Sequence, residues 1–238
     1  MFPSGLNYFP LEQTFLVALA VLIGVMIAIL QIGILGYVYE RMGIHPRYIF
    51  GLLVLSLGGS YVNIPVAQLY SEQVVPAQVV SFFGMHYVIP STLDVHRTII
   101  AVNIGGAVIP TLLSLYLLFK QRLFFEGFLA VAIVTLIVYQ LAYPVRGMGI
   151  AVPTFVPPIL AAIVALIISR RYAAPLAYIC GSLGTLIGAD VLNLNRIQEL
   201  GAPVASIGGA GTFDGIFLTG ILAVILASGF GRTFEPRQ

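Results

Sequence analysis

Apolar blocks of about 20 residues recur along the whole chain, and an α-helix of that length crosses a hydrocarbon core of about 30 Å. Seven can be drawn, over 13–39, 48–70, 98–119, 126–143, 153–169, 172–194 and 205–230. What lies between them is too short for a soluble domain. With 59% hydrophobic and 8% charged residues, the expected fold class is all-α, a polytopic membrane protein forming a single integral domain over 1–238. A scattered net charge of +2 gives nucleic acid no basic face to bind. The single cysteine, Cys180, excludes an internal disulfide and a zinc cluster, so no cofactor or metal is expected. Met1 to Thr14 lacks a basic start and a small-residue cleavage site, so the first block reads as a retained helix.

Basic residues set the orientation. Arg41, Arg47, Lys120, Arg122, Arg170, Arg171, Arg232 and Arg237 fall on one side, and Arg97, Arg146 and Arg196 on the other. The positive-inside bias puts the first group in the cytoplasm, with the N-terminus outside. Lipid is then the main partner.

Against that background two acidic residues stand out. Asp190 lies late in the sixth block and Asp214 early in the seventh, where a central Asp costs roughly 2.5–3.5 kcal/mol to insert. An ionisable residue in such a place is a functional-site hypothesis. Counted from Arg171 and Arg232, both lie roughly 27–28 Å from the inner anchors, at about 1.5 Å per residue. The same ruler brings Asn63, Asn103, Gln140 and Thr154 to a similar depth, so polar side chains from six blocks are expected to share one layer in the outer third of the bilayer. The alternative is an outer interface, where polar residues cost little.

The backbone near this layer is rich in breakers. Gly58-Gly59-Ser60-Tyr61-Val62-Asn63-Ile64-Pro65 and Val102-Asn103-Ile104-Gly105-Gly106-Ala107-Val108-Ile109-Pro110 put glycine pairs, Asn and Pro inside apolar blocks. Discontinuous helices lining a cavity and close packing through small residues both account for them. Gly208-Gly209-Ala210-Gly211 before Asp214 has the same double meaning.

The strings Gly59 to Pro65, Ala101 to Pro110, Gly188-Ala189-Asp190 and Gly208 to Gly215 resemble those of a prokaryotic family of multi-pass membrane proteins catalogued as a domain of unknown function. That resemblance implies a multi-pass protein of the prokaryotic cytoplasmic membrane. A more distant one is to the GxGD aspartyl intramembrane proteases, which include presenilin, signal peptide peptidase and prepilin peptidase. It implies a catalytic pair of Asp190 and Asp214, with Gly209, Gly211 and Thr212 supporting the second. Here Thr212 and Phe213 separate the Gly209-Ala210-Gly211 string from Asp214, and Pro175-Leu176-Ala177 lies at the opposite end of the sixth block from Asp190.

Two carboxylates held close together divide labour, one protonated as acid and one ionised to activate water. Asn63 and Asn103 are candidates to orient that water or the scissile carbonyl. The expected function is therefore an aspartyl intramembrane peptidase-like protein acting on a transmembrane peptide. The alternatives are a transporter or channel that binds a cation or proton at the same carboxylates, and a non-catalytic membrane scaffold.

After the second block, Gln78 to Phe83, Gly84-Met85 and His86 to Pro90 read as a short external β-hairpin. It serves either as a lid or as an edge for an extended peptide. His86, Asp94 and His96 in that loop lack a compact ligand spacing and read as solvated residues.

Overall fold

Ala173-Ala174-Pro175-Leu176-Ala177-Tyr178-Ile179-Cys180-Gly181-Ser182 is buried at every position. Small side chains let neighbouring backbones come close where lipid supplies no driving force between helices. In the computed structural model this segment is part of the central helix. The structure describes residues 17, 21, 32–75, 78–82, 85–89, 92–145, 149–196, 204–209 and 215–230, with backbone alone at 46, 49, 53, 57, 70–96 and 149.

In chain order the helices are α1 (32–41), α2 (Ile49–Gly59), α3 (Ile109–Gln121), α4 (Phe124–Leu141), α5 (Val156–Ile168), α6 (Ala173–Thr185) and α7 (Gly215–Phe230). α6 is packed by α3, α4, α5 and α7. A Cβ at Gly181 would touch both Ala161 of α5 and Ala223 of α7 at 3.4 Å, and one at Gly184 would come within 2.7 Å of Val134 on α4. Prolines that would break a helix interior sit in first turns, at Pro110 of α3 and at Pro157 and Pro158 of α5. Arg122, left-handed at φ 54°, ends α3 and leads into α4. At that end Lys120 Nζ donates to Gly43 O at 2.8 Å, so the basic ends of α1 and α3 lie together.

The outer faces carry the large side chains. Phe125 and Phe128 of α4 are each 76% exposed and Ile167 of α5 is 78% exposed, as lipid-facing residues would be. Among the described residues three helical stretches, Ile104–Gln121, Phe124–Leu141 and Ala173–Arg196, are long and apolar enough to cross a membrane; α5 and α7 are apolar but shorter.

The chain is mostly helical, yet it is not all-α. Strands β1 (Asn63–Val75), β2 (Gln78–Phe82), β3 (Met85–Ile89), β4 (Thr92–Asn103), β5 (Tyr143–Val145), β6 (Gly149–Ala151) and β7 (Val204–Ile207) form three sheets among the described residues. β1 and β4 pair antiparallel from Asn63↔Asn103 to Val75↔Thr92, with a register shift between Pro65 and Ala67. β7 joins β4 in parallel, giving the order β1-β4-β7. β2 and β3 form the expected hairpin, Gln78 opposite Ile89 and Phe82 opposite Met85.

The blocks 48–70 and 98–119 are therefore not continuous helices. In the first, α2 stops at Gly59, and Pro65, which offers no N–H, falls in a strand instead. In the second, Thr98 to Asn103 are strand and the helical turns begin at Ile104. Ile100 and Ala101 are buried in β4 between two partner strands, and a strand buried on both faces is as uniformly apolar as a helix in a bundle. The block 205–230 is likewise strand at Val204–Ile207 and helix from Gly215.

Candidate active site

α6 does not end as an α-helix. Leu186–Val191 form a π-helical turn, closed by the Leu192 N–H donating to Ile187 O at 2.9 Å. A π turn inserts one extra residue and re-aims the side chains beyond it. Asp190 lies on this turn. The turn is clamped by Asn193, 1% exposed, whose Nδ2 donates to Gly188 O at 2.9 Å and Ala189 O at 3.0 Å. Gly188 lets it press on α4, since a Cβ there would meet Thr135 O at 2.7 Å.

The Asp190 carboxylate, half-buried, accepts a hydrogen bond at Oδ2 from the Gly208 N–H at 2.8 Å. Oδ1 has no partner among the described residues. Gly208 follows β7 at φ +88°. A Cβ there would stand 2.5 Å from Ala107 N and 2.8 Å from Gly106 C, so both its backbone angle and its space call for glycine. The surface it rests on is the second π turn, Ile104–Val108, which precedes α3.

Asp190 faces a cavity of about 370 Å³. Thr185, Thr219 and Gly215 line it from the helices. On one side run Ile150, Ala151 and Val152, and on another Val204, Ala205, Ser206 and Ile207. Successive side chains of a strand point to opposite faces, so a strand lining a cavity with consecutive residues presents its edge. The far edge of β7 is taken by β4 and that of β6 by β5. The cavity is thus bordered by two strand edges that have no partner strand among the described residues, with Ile150 packing against Ala205 between them.

Asn63 and Asn103 lie together, but not on this cavity. Asn103, 1% exposed, accepts from the Gly106 N–H at 2.8 Å and donates through Nδ2 to Ser60 O at 2.7 Å and Asn63 Oδ1 at 3.0 Å. It caps the helical turns before α3. Asn63 Oδ1 also accepts from Ser206 Oγ at 2.6 Å, tying β1 to β7. Both asparagines thereby brace the strand that borders the cavity.

Gly209, at φ +78°, lines the cavity, whereas Gly211, Thr212 and Asp214 fall outside the described residues. Gly215, which follows Asp214 in the chain, does line it. Thr154 is an exposed residue on the cavity wall, and Gln140 is exposed away from the cavity lining, so the expected polar layer divides into a cavity, a frame and a surface residue. The side chains of His86, Asp94 and His96 lie outside the described residues.

The structure adds Thr185, Asn193 and Ser206, and gives Gly208 of the glycine-rich string its contact with Asp190. Asn193 was findable, since a short amide three residues after Asp190 is placed to reach carbonyls freed at a helix end. The Thr185 hydroxyl, 4% exposed, has no hydrogen-bond partner among the described residues, and nothing in the sequence distinguished it from other threonines in helices.

The sequence pattern of a family described as a protein of unknown function (DUF1614) matches residues 57–226. The chain belongs to that family. The DUF1614 region takes in both π turns, the whole β1–β4 hairpin, Asp190 and Asp214. Comparison with curated proteins and with solved structures gives no match.

Proposed function

We propose that this DUF1614 protein is an aspartyl peptidase-like membrane protein, with Asp190 and Asp214 as its catalytic pair and an extended stretch of a membrane-inserted peptide as substrate. The observation that carries the reading is the cavity: a carboxylate at its wall, the residue after Asp214 also at its wall, and beside them two strand edges unpaired among the described residues. A peptide in a helix engages its carbonyls in its own hydrogen bonds. Laid as a strand along β7 or β6, it would exchange those bonds for the free edges and expose one carbonyl to the carboxylates.

The chemistry uses one ionised and one protonated carboxylate. The ionised Asp takes a proton from water as the water oxygen bonds to the scissile carbonyl carbon, and the other Asp gives its proton to the carbonyl oxygen. Collapse of that diol breaks the C–N bond. The nitrogen leaves with the proton held by the first Asp, while a diol hydroxyl returns its proton to the second. The Gly208 N–H fixes Asp190 Oδ2 and leaves Oδ1 for this work.

The test is cleavage of a panel of single-span peptides by purified protein in liposomes. Asp190→Asn and Asp214→Asn should each abolish cleavage while keeping the thermal midpoint of the parent, because an amide of the same shape cannot exchange the catalytic proton. A second reading, a site for a proton or cation, draws on the Thr185 hydroxyl, which has no partner among the described residues and shares the cavity wall with Asp190. Ion flux dependent on both Asp residues, with no peptide cleaved, would replace the first reading by the second.

A further inference from the structure

Below the cavity, polar side chains continue into the bundle where apolar ones of equal size would pack as well. Tyr178, Ser182, Thr185 and Asp190 follow one another along α6 and its π turn at intervals of four, three and five residues. Intervals of three and four stay on one face of an α-helix, and five is the hydrogen-bonding interval of the π turn. The four therefore form one stripe. Tyr178 is 1% exposed, Ser182 0% and Thr185 4%, and Thr219 of α7, 3% exposed, joins Thr185 and Asp190 at the cavity wall.

The opposing helix packs closely on the stripe through a glycine. A Cβ at Gly220 of α7 would come within 2.5 Å of Ser182 Oγ and 3.1 Å of the Tyr178 ring. Tyr178 belongs to the same packed cluster as Tyr39, itself 1% exposed near the end of α1 where Lys120 binds Gly43 O. From Asp190 to Tyr178 is roughly 18 Å at about 1.5 Å per residue, more than half a hydrocarbon core. Cys180 lies off the stripe, its thiol pointing to Ala161 O of α5 at 3.6 Å.

Buried hydroxyls within a membrane bundle find partners or water, and a file of them ending on a carboxylate is the arrangement that passes protons. We propose that Thr185, Ser182 and Tyr178 form a proton path between Asp190 at the cavity and the basic end of the bundle. Each step moves one proton from a donor to the next hydroxyl or intervening water and restores the original groups, so no other reactant is consumed. This goes beyond peptide cleavage and does not depend on it.

The experiment uses the full chain in liposomes holding a pH-sensitive dye, with a potassium gradient and valinomycin driving protons. The parent should acidify the lumen well above protein-free vesicles. Thr185→Val and Ser182→Ala should each cut that rate at least tenfold. Thr185→Ser and Ser182→Thr, which restore a hydroxyl, should recover most of it, and Cys180→Ala should leave it unchanged. A parent rate equal to that of empty vesicles, or full flux through Thr185→Val, overturns the proposal. Cleavage measured on the same variants keeps the two readings apart, since Ser182→Ala should cut flux at least tenfold and spare cleavage, whereas Asp190→Asn should stop both.

Discussion

Gly208 is where the geometry makes its most demanding claim. Replacing it with alanine asks a Cβ-bearing residue to hold φ +88°, which costs roughly 1–2 kcal/mol. The new methyl would also stand 2.5 Å from Ala107 N, 2.6 Å from Ala107 Cβ and 2.8 Å from Gly106 C. These are mostly backbone atoms of the turn that starts α3, and they cannot swing aside as a side chain would. Overpacking of this kind costs about 1–3 kcal/mol. Together the two effects amount to roughly 2–5 kcal/mol, before any loss of the bond to Asp190. For a chain of this size, that lowers the thermal midpoint by roughly 5–15 °C. The assay is thermal unfolding in detergent at a fixed scan rate, with Gly58→Ala as control because nothing lies within 4 Å of its added Cβ. An unchanged midpoint in Gly208→Ala, or one equal to that of the control, would refute both the left-handed turn and its seat on the π turn.

Asn103→Ala should destabilise by roughly 2–4 kcal/mol, as it removes a helix cap and leaves the buried Ser60 carbonyl short of a donor; Asn103→Asp should do no better, since it restores only the cap. Thermal midpoints check both. Cys180 is 0% exposed and should resist maleimide in the folded protein but react once it is unfolded, whereas fast labelling of the native state would contradict its place in the core of the bundle. In a Cys180-free background, cysteines at Arg196 and Gln121 should be labelled from opposite sides of the membrane, the first from outside, as the charge bias requires. Labelling of both from one side would contradict that orientation.

The sequence made some features plain and concealed others for a physical reason. α4 starts and stops within two residues of the block drawn at 126–143, because a long apolar helix bounded by charge and Pro announces itself by length alone. The hairpin of β2 and β3 was visible in its β-branched and aromatic runs about Gly84. β1 and β4 were not. Ile99-Ile100-Ala101-Val102 is uniformly apolar where β4 is flanked by strands on both edges and largely buried, so neither alternation nor a break distinguishes it from a helix. Asp190 was legible from its cost in an apolar block. The asparagines were legible as polar residues in the same layer, but not as braces, since a pairing 40 residues apart leaves no local mark. Thr185 and the two strand edges became visible only when the chain was folded, because β6 and β7 meet at the cavity from segments more than 50 residues apart.

Peptide hydrolysis by this pair requires Asp190 and Asp214 to share one cavity. Cysteines placed at both positions in a Cys180→Ala background, in the full chain in liposomes, should form a disulfide under mild copper oxidation, because that bond requires Cα atoms within about 7 Å. Pairs of 190 with Ile167, on the outer face of α5, should remain reduced. Efficient closure of the 190–214 pair, with the 190–167 pair open, is the predicted result. Carboxylate positions that fail to cross-link under any oxidant, and that a dipolar distance measurement puts well beyond about 10 Å, would separate the two Asp residues and end the peptidase reading.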